Sequence, residues 1–476
     1  MGVRRWSTAH WRAATLVAIH LVIAVHVVWW IWSGRTVAPA ELNESMYTLE
    51  HGVVTVGFLF MALIVLSVAF FGRFFCSWGC HVLALQDLAA WLLARVGVRP
   101  KPVRLRFLLL VPLGAALSMF LWPQVTRLMA GSAWGPLRVS TDAEGFGSLV
   151  TEDFLRNLPS VPVAAMTFLI CGGVMVYLLG SRSFCTYVCP YGAVFSLVDR
   201  LALGRIHLVG STSQCAECAR CTAVCTSHIR VHDEVARFGR VVSPACLKDL
   251  DCIDACPTGA LQFGLAKPSG FLSLRKWGRF GVAYDASLFE EVCAAVAFVV
   301  VLFVTRGLYG VVPFFLAMAL GAIAAWGTII AIRLVTRRDV RWGSFGLKRA
   351  GAVTRAGKVA CVVMAVAVLL LAQGALVRVY IRSAVAAWNR DDLAGSRTAI
   401  DAAAAVALVD WDEVDLPRAT ILLAQQDLVA ARPCVERIVA RDGRRTAWKV
   451  TLEELDGYRT MELIRSVAPS GPNPPD

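Results

Sequence analysis

"CLKDLDCIDACP", residues 246–257, places cysteines at 246, 252 and 256 in a spacing that a fourth cysteine at 249 would complete. A C-x2-C-x2-C-x3-C run lets three thiolates on a tight loop take three irons of one iron–sulfur cube, while the last cysteine reaches to a second cube. Some thirty residues upstream the same run occurs intact, as Cys215, Cys218, Cys221 and Cys225. The two runs interlock. Cys215, Cys218, Cys221 and Cys256 fall to one cluster, and Cys225, Cys246 and Cys252 to the other.

This phasing predicts a two-cluster, ferredoxin-like α+β domain over 207–272, since zinc sites do not need two interlocked runs. Two positions depart from the pattern. Thr226 stands where a proline usually follows the fourth cysteine, which removes a rigid turn but no ligand. Asp249 stands in place of a sulfur ligand. Three outcomes are open there: a hard oxygen ligand on the fourth iron, a three-iron cluster with an empty corner, or a lost second cluster. An occupied but atypical cluster is the expectation, because the other three cysteines are intact. His228 and His232 lie close by and are expected at the surface or behind the ligands.

The surrounding chain is apolar. Of 476 residues, 57% are hydrophobic and 17% charged, and the mean hydropathy is +0.62. Apolar runs of about 20 residues mark membrane spans. They occur near 13–32, 53–71, 107–122, 161–180, 292–308, 312–335 and 359–380. The fold class expected is therefore mainly α: a polytopic helical membrane protein of about seven spans, with the ferredoxin-like domain inserted and a small helical C-terminal module. The parts are a four-span unit over 1–206, the insert over 207–272, three further spans over 273–380 and a helical tail over 381–476. The first run lacks a small-residue cleavage site and ends in Trp29, Trp30 and Trp32, an interfacial aromatic belt rather than a signal peptide.

The net charge of +13 is concentrated. Arg4, Arg5 and Arg12 precede the first span. Arg73, Arg95, Arg99, Lys101, Arg104 and Arg106 follow the second, and a group from Arg333 to Lys358 follows the sixth. By the positive-inside rule the N-terminus and the insert face the cytosol and the tail lies outside. The charge therefore sets topology, and no nucleic-acid partner is expected. In a reducing compartment the cysteines of the insert and of the span ends suit metal or redox work rather than disulfides. Cys171, Cys293 and Cys361 lie inside spans and read as small buried hydrophobes. Cys434, in the tail, has no evident partner.

A second motif pair repeats within the membrane part. "GRFFCSWGCHVLALQDL" after span two aligns without gaps with "SRSFCTYVCPYGAVFSL" after span four, at a shift of 109 residues. Arg73 matches Arg182, Cys76 matches Cys185 and Cys80 matches Cys189. Both copies enter the same side, as in a parallel repeat. If each C-x3-C pair is helical, its thiols share a face too wide for a comfortable disulfide. Two copies bring four sulfurs toward one cofactor-binding site, a metal or redox pocket, with Arg73 and Arg182 expected to favour thiolates. "CSWGCH" has one residue too many for a haem attachment motif. His20, His26 and His51 make a haem or quinone site possible but unsupported.

Taken together, the C-x3-C motifs after paired spans and the two-cluster run resemble the membrane polyferredoxins of the NapH, NosR and CcoG type, over about residues 10 to 270. The resemblance implies an iron–sulfur protein of the bacterial inner membrane, an electron carrier or oxidoreductase component rather than a stand-alone enzyme. It implies electron relay between the quinol pool or cytosol and a membrane or periplasmic partner protein. His81 in place of proline, Asp249, the absence of a flavin domain ahead of span one and the extra C-terminal spans depart from the family pattern. A second function class stays open: a redox- or metal-responsive assembly factor or regulator of a respiratory enzyme.

In the tail, "ATILLAQQDLVAARPCVERIVARDG" has helical periodicity like one tetratricopeptide-type helix pair, with Pro433 expected to interrupt it. One such unit cannot stack by itself, so a docking module is expected. "PSGPNPPD" is expected to be disordered.

Overall fold

The structure, a computed structural model, describes residues 7–98, 100–132, 136–140, 148–155, 159–209, 215–270, 284–343, 345–441, 449 and 451–455. Arg4, Arg5, Arg99 and the terminal "PSGPNPPD" lie outside the described residues. The chain divides into two units, residues 1–299 with 318–357 and residues 300–317 with 358–476. It is mainly helical, with three small antiparallel sheets.

All seven apolar runs are helical. Six helices are long and apolar enough to cross a membrane: Thr8–Ser33, Arg106–Met129, Val161–Leu179, Leu288–Thr305, Phe314–Thr336 and Arg355–Trp388. The other, Val56–Phe71, has 16 residues, or about 24 Å at the helical rise. That is short of the roughly 30 Å hydrocarbon layer. Its ends are fixed by local chemistry. The Thr55 hydroxyl accepts from the Phe58 N–H at the start, and Gly72 ends the helix at φ 77°. A Cβ at Gly72 would lie 2.6 Å from Lys248 Cε, so this turn leaves room for the insert.

The first unit keeps its loops on two sides. Between spans one and two, Thr36–Val37 pairs antiparallel with Val150–Thr151 from the loop between spans three and four, and Val53 bridges to Arg138. The segments after spans two and four instead meet the insert. There Gly204–Leu208 pairs antiparallel with Leu261–Leu265. The insert is closed by a core of Ile206, Leu208, Val231, Val235, Val241 and Leu261 around the buried Cys246 and Cys252. Two spans, Arg106–Met129 and Val161–Leu179, contain wider π turns, at Leu117–Leu121 and Leu169–Val174.

After its span the second unit includes the helices Leu393–Val406, Asp412–Ala424 and Leu428–Arg441. The expected helix pair is the latter two. Pro433 does not interrupt: the last helix is continuous through it. Only one intrahelical bond is lost, to the carbonyl of Val429, and Val429 is 82% exposed, where water can take that bond. Cys434 is buried in the core between these helices. The buried Asp415 carboxylate holds Arg437 at 2.6 Å and also pairs with Arg441.

Candidate iron–sulfur centres and the membrane thiol group

The two cysteine runs fold onto the same local frame. Each opens as an extended loop and ends in a single helical turn, Arg220–Ala223 in the first and Asp251–Asp254 in the second. In the first run Cys218 sits between two left-handed residues, Glu217 (φ 49°) and Ala219 (φ 54°). In the second, Asp249 sits between Lys248 (φ 59°) and Leu250 (φ 65°). Non-glycine residues in this region are costly and need a reason. Here the reason is a loop that turns three successive side chains toward one point.

Cys215, Cys218, Cys221 and Cys256 line one pocket that opens to solvent, together with Pro257, Ala260 and Leu261. His232 also lines it and shares a 2.8 Å hydrogen bond between Nδ1 and the Thr222 hydroxyl. A mostly apolar pocket with four converging thiols fits a cubane cluster. Burial raises the Cys221 thiol. At Cys256 burial acts the same way, but hydrogen bonds from the Thr258 hydroxyl and from Ala260 outweigh it and lower the thiol.

The second group is drier. Cys246 and Cys252 are 5% and 3% exposed. Burial pushes the Cys225 thiol up to about 12, with Asp249 and Cys246 adding to it. Cys252 is raised by burial and then by Cys246, Asp249 and Cys225, so all four positions lie within mutual electrostatic reach. Cys246 is raised by burial and partly relieved by Lys248. Such thiols stay protonated until a metal takes the proton's place. Among the described residues no group of three or more His, Cys, Asp or Glu converges closely enough to hold a single ion. A cubane takes one thiolate per iron, so its ligands stand further apart than those of a mononuclear site.

The repeat cysteines come together as well. Cys185 interacts electrostatically with Cys80, Cys189 and Cys76, and Cys189 with Cys80 and Cys76. Their local structure differs from the helical i, i+4 arrangement. Cys76 and Cys185 lie in one-turn helices, Phe74–Trp78 and Ser183–Tyr187. Cys80 and Cys189 are extended N-cap residues of the next helices, His81–Arg95 and Pro190–Asp199. Pro190 at the first helical position explains the break in the second copy, since it has no N–H to extend the preceding helix. The Cys189 sulfur accepts the Gly192 N–H at 3.4 Å. Gly192 is packed tightly, since a Cβ there would come 3.2 Å from the Cys185 carbonyl and 3.3 Å from the Arg73 guanidinium. Gln86 ties the copies together, donating to Cys185 Sγ at 3.3 Å and accepting the Phe184 N–H at 3.1 Å.

Arg73 and Arg182 are buried beside these thiols, but they do not dominate them. Burial pushes Cys80 up to about 11 and Cys189 up to about 12. Cys185 is also raised by burial, against the opposing pull of Arg182. The expectation that the arginines favour free thiolates is corrected by desolvation, which outweighs them.

The arginines instead clamp the insert to the repeat. Arg73 donates to the Pro244 carbonyl at 3.0 Å, and Trp78 Nε1 to the Lys248 carbonyl at 3.0 Å. Lys248 Nζ reaches Asp199 Oδ1 at 3.1 Å, and Arg205 reaches Asp199 Oδ2 at 2.9 Å. Arg182 lies 3.5 Å from both Asp87 and Asp249. From span one, Arg12 pairs with Asp87 at 3.3 Å and Asp251 at 3.0 Å, and the Thr8 N–H bonds Asp254. These partners were not foreseen. The available signal was an acidic residue in an otherwise largely apolar helix: Asp87 within His81–Arg95 and Asp199 at the end of Pro190–Asp199.

The intramembrane histidines have other neighbours. His26 shares a 3.1 Å hydrogen bond with Thr36, His20 one of 2.7 Å with the Leu16 carbonyl, and His51 stacks on Tyr47 at 4.5 Å. His228 is driven down to about 4 by burial, with Arg104 and Arg182 adding to it.

A family described as "4Fe-4S binding domain" matches residues 53–99 and again residues 162–208. The two matches are offset by the 109 residues of the internal repeat, since 162 − 53 = 109, and each contains one C-x3-C pair. YccM of Escherichia coli (strain K12) is 26% identical over 298 residues, covering 54% of this chain and 76% of the relative. The methylamine utilization ferredoxin-type protein MauN of Methylobacillus flagellatus is 28% identical over 237 residues, covering 49% and 72%. The ferredoxin-type protein NapH of Haemophilus influenzae is 28% identical over 217 residues, covering 42% and 66%. No solved structure matches. These similarities bear out the resemblance to the NapH-type polyferredoxins: the chain is similar to ferredoxin-type electron-transport proteins over about half its length, and six of its described helices are long and apolar enough to cross a membrane.

Proposed function

We propose that the chain carries electrons between a soluble or quinol donor and a membrane or periplasmic partner, through ligand sets ordered by depth. Cys215, Cys218, Cys221 and Cys256 would hold the outer cluster. Cys225, Cys246 and Cys252, with position 249, would hold the inner one. Cys76, Cys80, Cys185 and Cys189 would hold a further redox-active group. Thiolate-held clusters supply reversible one-electron chemistry.

The observation that carries this order is where the insert touches the repeat. Its polar contacts with the repeat and span one run through Pro244, Lys248, Asp249, Asp251 and Asp254, on or next to the second run, while the cavity of the first set opens to solvent. The buried ion pairs fix the second run against the repeat. Arg182, 2% exposed, interacts with both Asp249 and Cys185 across this junction. By the positive-inside distribution the insert faces the cytosol of a bacterial inner membrane and the tail lies outside. The ferredoxin-type names of MauN and NapH support the carrier role.

The test is cluster reduction in membranes by added quinol, followed by EPR, in the parent and in Cys76→Ser and Cys185→Ser. Loss of reduction with both insert clusters retained supports the relay. Undiminished transfer without these thiols makes the repeat a scaffold only.

A further inference from the structure

The two departures from the cysteine pattern touch each other. Thr226 Oγ1 donates to Asp249 Oδ2 at 2.6 Å. Arg182 NH2 makes a charge contact with that same oxygen at 3.5 Å, and Arg12 donates to the Asp249 backbone carbonyl at 3.3 Å. Asp249 is 5% exposed. Both contacts fall on Oδ2, so the other oxygen, Oδ1, takes no hydrogen bond among the described residues and is left open to a further partner.

The backbone supplies a second, independent observation. Asp249 lies between left-handed Lys248 and Leu250, as Cys218 lies between left-handed Glu217 and Ala219. The ligand loop is therefore kept in full at position 249, strain included, although the sulfur is gone. A run that had lost its cluster would have no reason to hold two non-glycine residues in that conformation.

We infer that Asp249 Oδ1 is the fourth ligand of the inner cluster, and that Thr226 and Arg182 are positioning residues that hold Oδ2 so that the carboxylate binds through one oxygen. Thr226 is then the necessary companion of Asp249, since the proline usual at that place carries no hydroxyl to hold a carboxylate. The inner cluster is a four-iron cluster with one oxygen-bound corner, and that corner is the one facing Arg182 and the repeat. This rests on the reading that the insert binds two clusters.

The experiment uses the full chain, reconstituted anaerobically with iron-57, and reads Mössbauer and EPR spectra rather than turnover. The parent should show one iron with the distinct isomer shift of an oxygen-ligated site, and Asp249→Cys should abolish it. On brief ferricyanide treatment, Thr226→Val should lose that one iron about tenfold faster than the parent, the cost of one hydrogen bond to a charged group. Thr226→Ser should restore the parent rate. The inference is overturned if parent and Asp249→Cys have equivalent irons, if the parent inner cluster holds three irons, or if Thr226→Val loses iron at the parent rate. The outer cluster separates the two levels. Its signal without the distinct iron refutes the Asp249 assignment alone, whereas loss of both signals in the parent refutes the two-cluster reading as well.

Discussion

The two cysteine runs of the insert are near-copies in sequence and backbone, yet they live in opposite surroundings. The first lines a cavity open to water, with Cys218 exposed. The second is buried against the membrane repeat, its loop held by a lysine, three arginines and a tryptophan. Spacing decides what a run can bind; the neighbours decide with whom it can exchange an electron. The same loop is left open to water in one place and clamped in the other, where Arg12, Arg73, Arg182 and Lys248 are turned inward.

Substituting one ligand in each run sharpens the contrast most. Cys252→Ser and Cys218→Ser should each remove about half of the insert's iron. Only Cys252→Ser should also lower the thermal stability of the membrane unit, because only its loop is part of the docking surface. Equal destabilisation by the two changes would break the contrast.

Next in size is Arg182→Met. It leaves the buried Asp249 without its cation, while the half-buried Asp87 keeps Arg12, and should cost about 3–5 kcal/mol. Denaturant unfolding in detergent, followed by tryptophan fluorescence, measures it.

His228 gives a pH dependence on the buried side. Its folded value is driven down to about 4, chiefly by burial, against roughly 6.5 in the unfolded chain. A histidine depressed on folding stabilises fully above the unfolded value and loses that contribution as pH falls through the folded one. Stability should therefore drop between about pH 6.5 and pH 4, by on the order of 3 kcal/mol. The same titration on His228→Gln should be flatter by that amount.

Lys248→Met is smaller. Asp199 keeps Arg205, so the expected cost is about 1–3 kcal/mol by the same unfolding measurement. Smallest is Arg230→Ala at the N-cap of the helix Val231–Phe238 after the first run. Its 3.9 Å pair with Asp233 is mostly exposed, and its loss should stay within about 0.5 kcal/mol. A larger effect there would mean that the first run is also docked.

Much of this was legible in the chain itself. Seven cysteines in two phased runs, and a gapless repeat at 109 residues, are local patterns that survive any fold around them. Apolar runs of membrane length are equally local. What was not legible depends on partners distant in sequence. The shortness of Val56–Phe71 comes from Gly72 making room for Lys248, a contact across the insert. The break inside each C-x3-C pair overrides the helical register that spacing alone suggests. The arginines read as thiolate donors of charge, but burial, invisible in one dimension, reverses the balance at Cys80, Cys185 and Cys189. In sequence Thr226 reads only as a lost rigid turn; its hydrogen bond to Asp249, 23 residues on, exists only in the fold.

The most direct measurement is EPR relaxation of the reduced, detergent-solubilised protein in the presence of a water-soluble paramagnetic gadolinium chelate. The expected result is two cluster signals of unequal response: the one lost in Cys218→Ser relaxes faster with the chelate, and the one lost in Cys252→Ser is unaffected. Equal broadening of both signals, or protein without iron–sulfur signals, would contradict the ordering of the two runs from water to membrane.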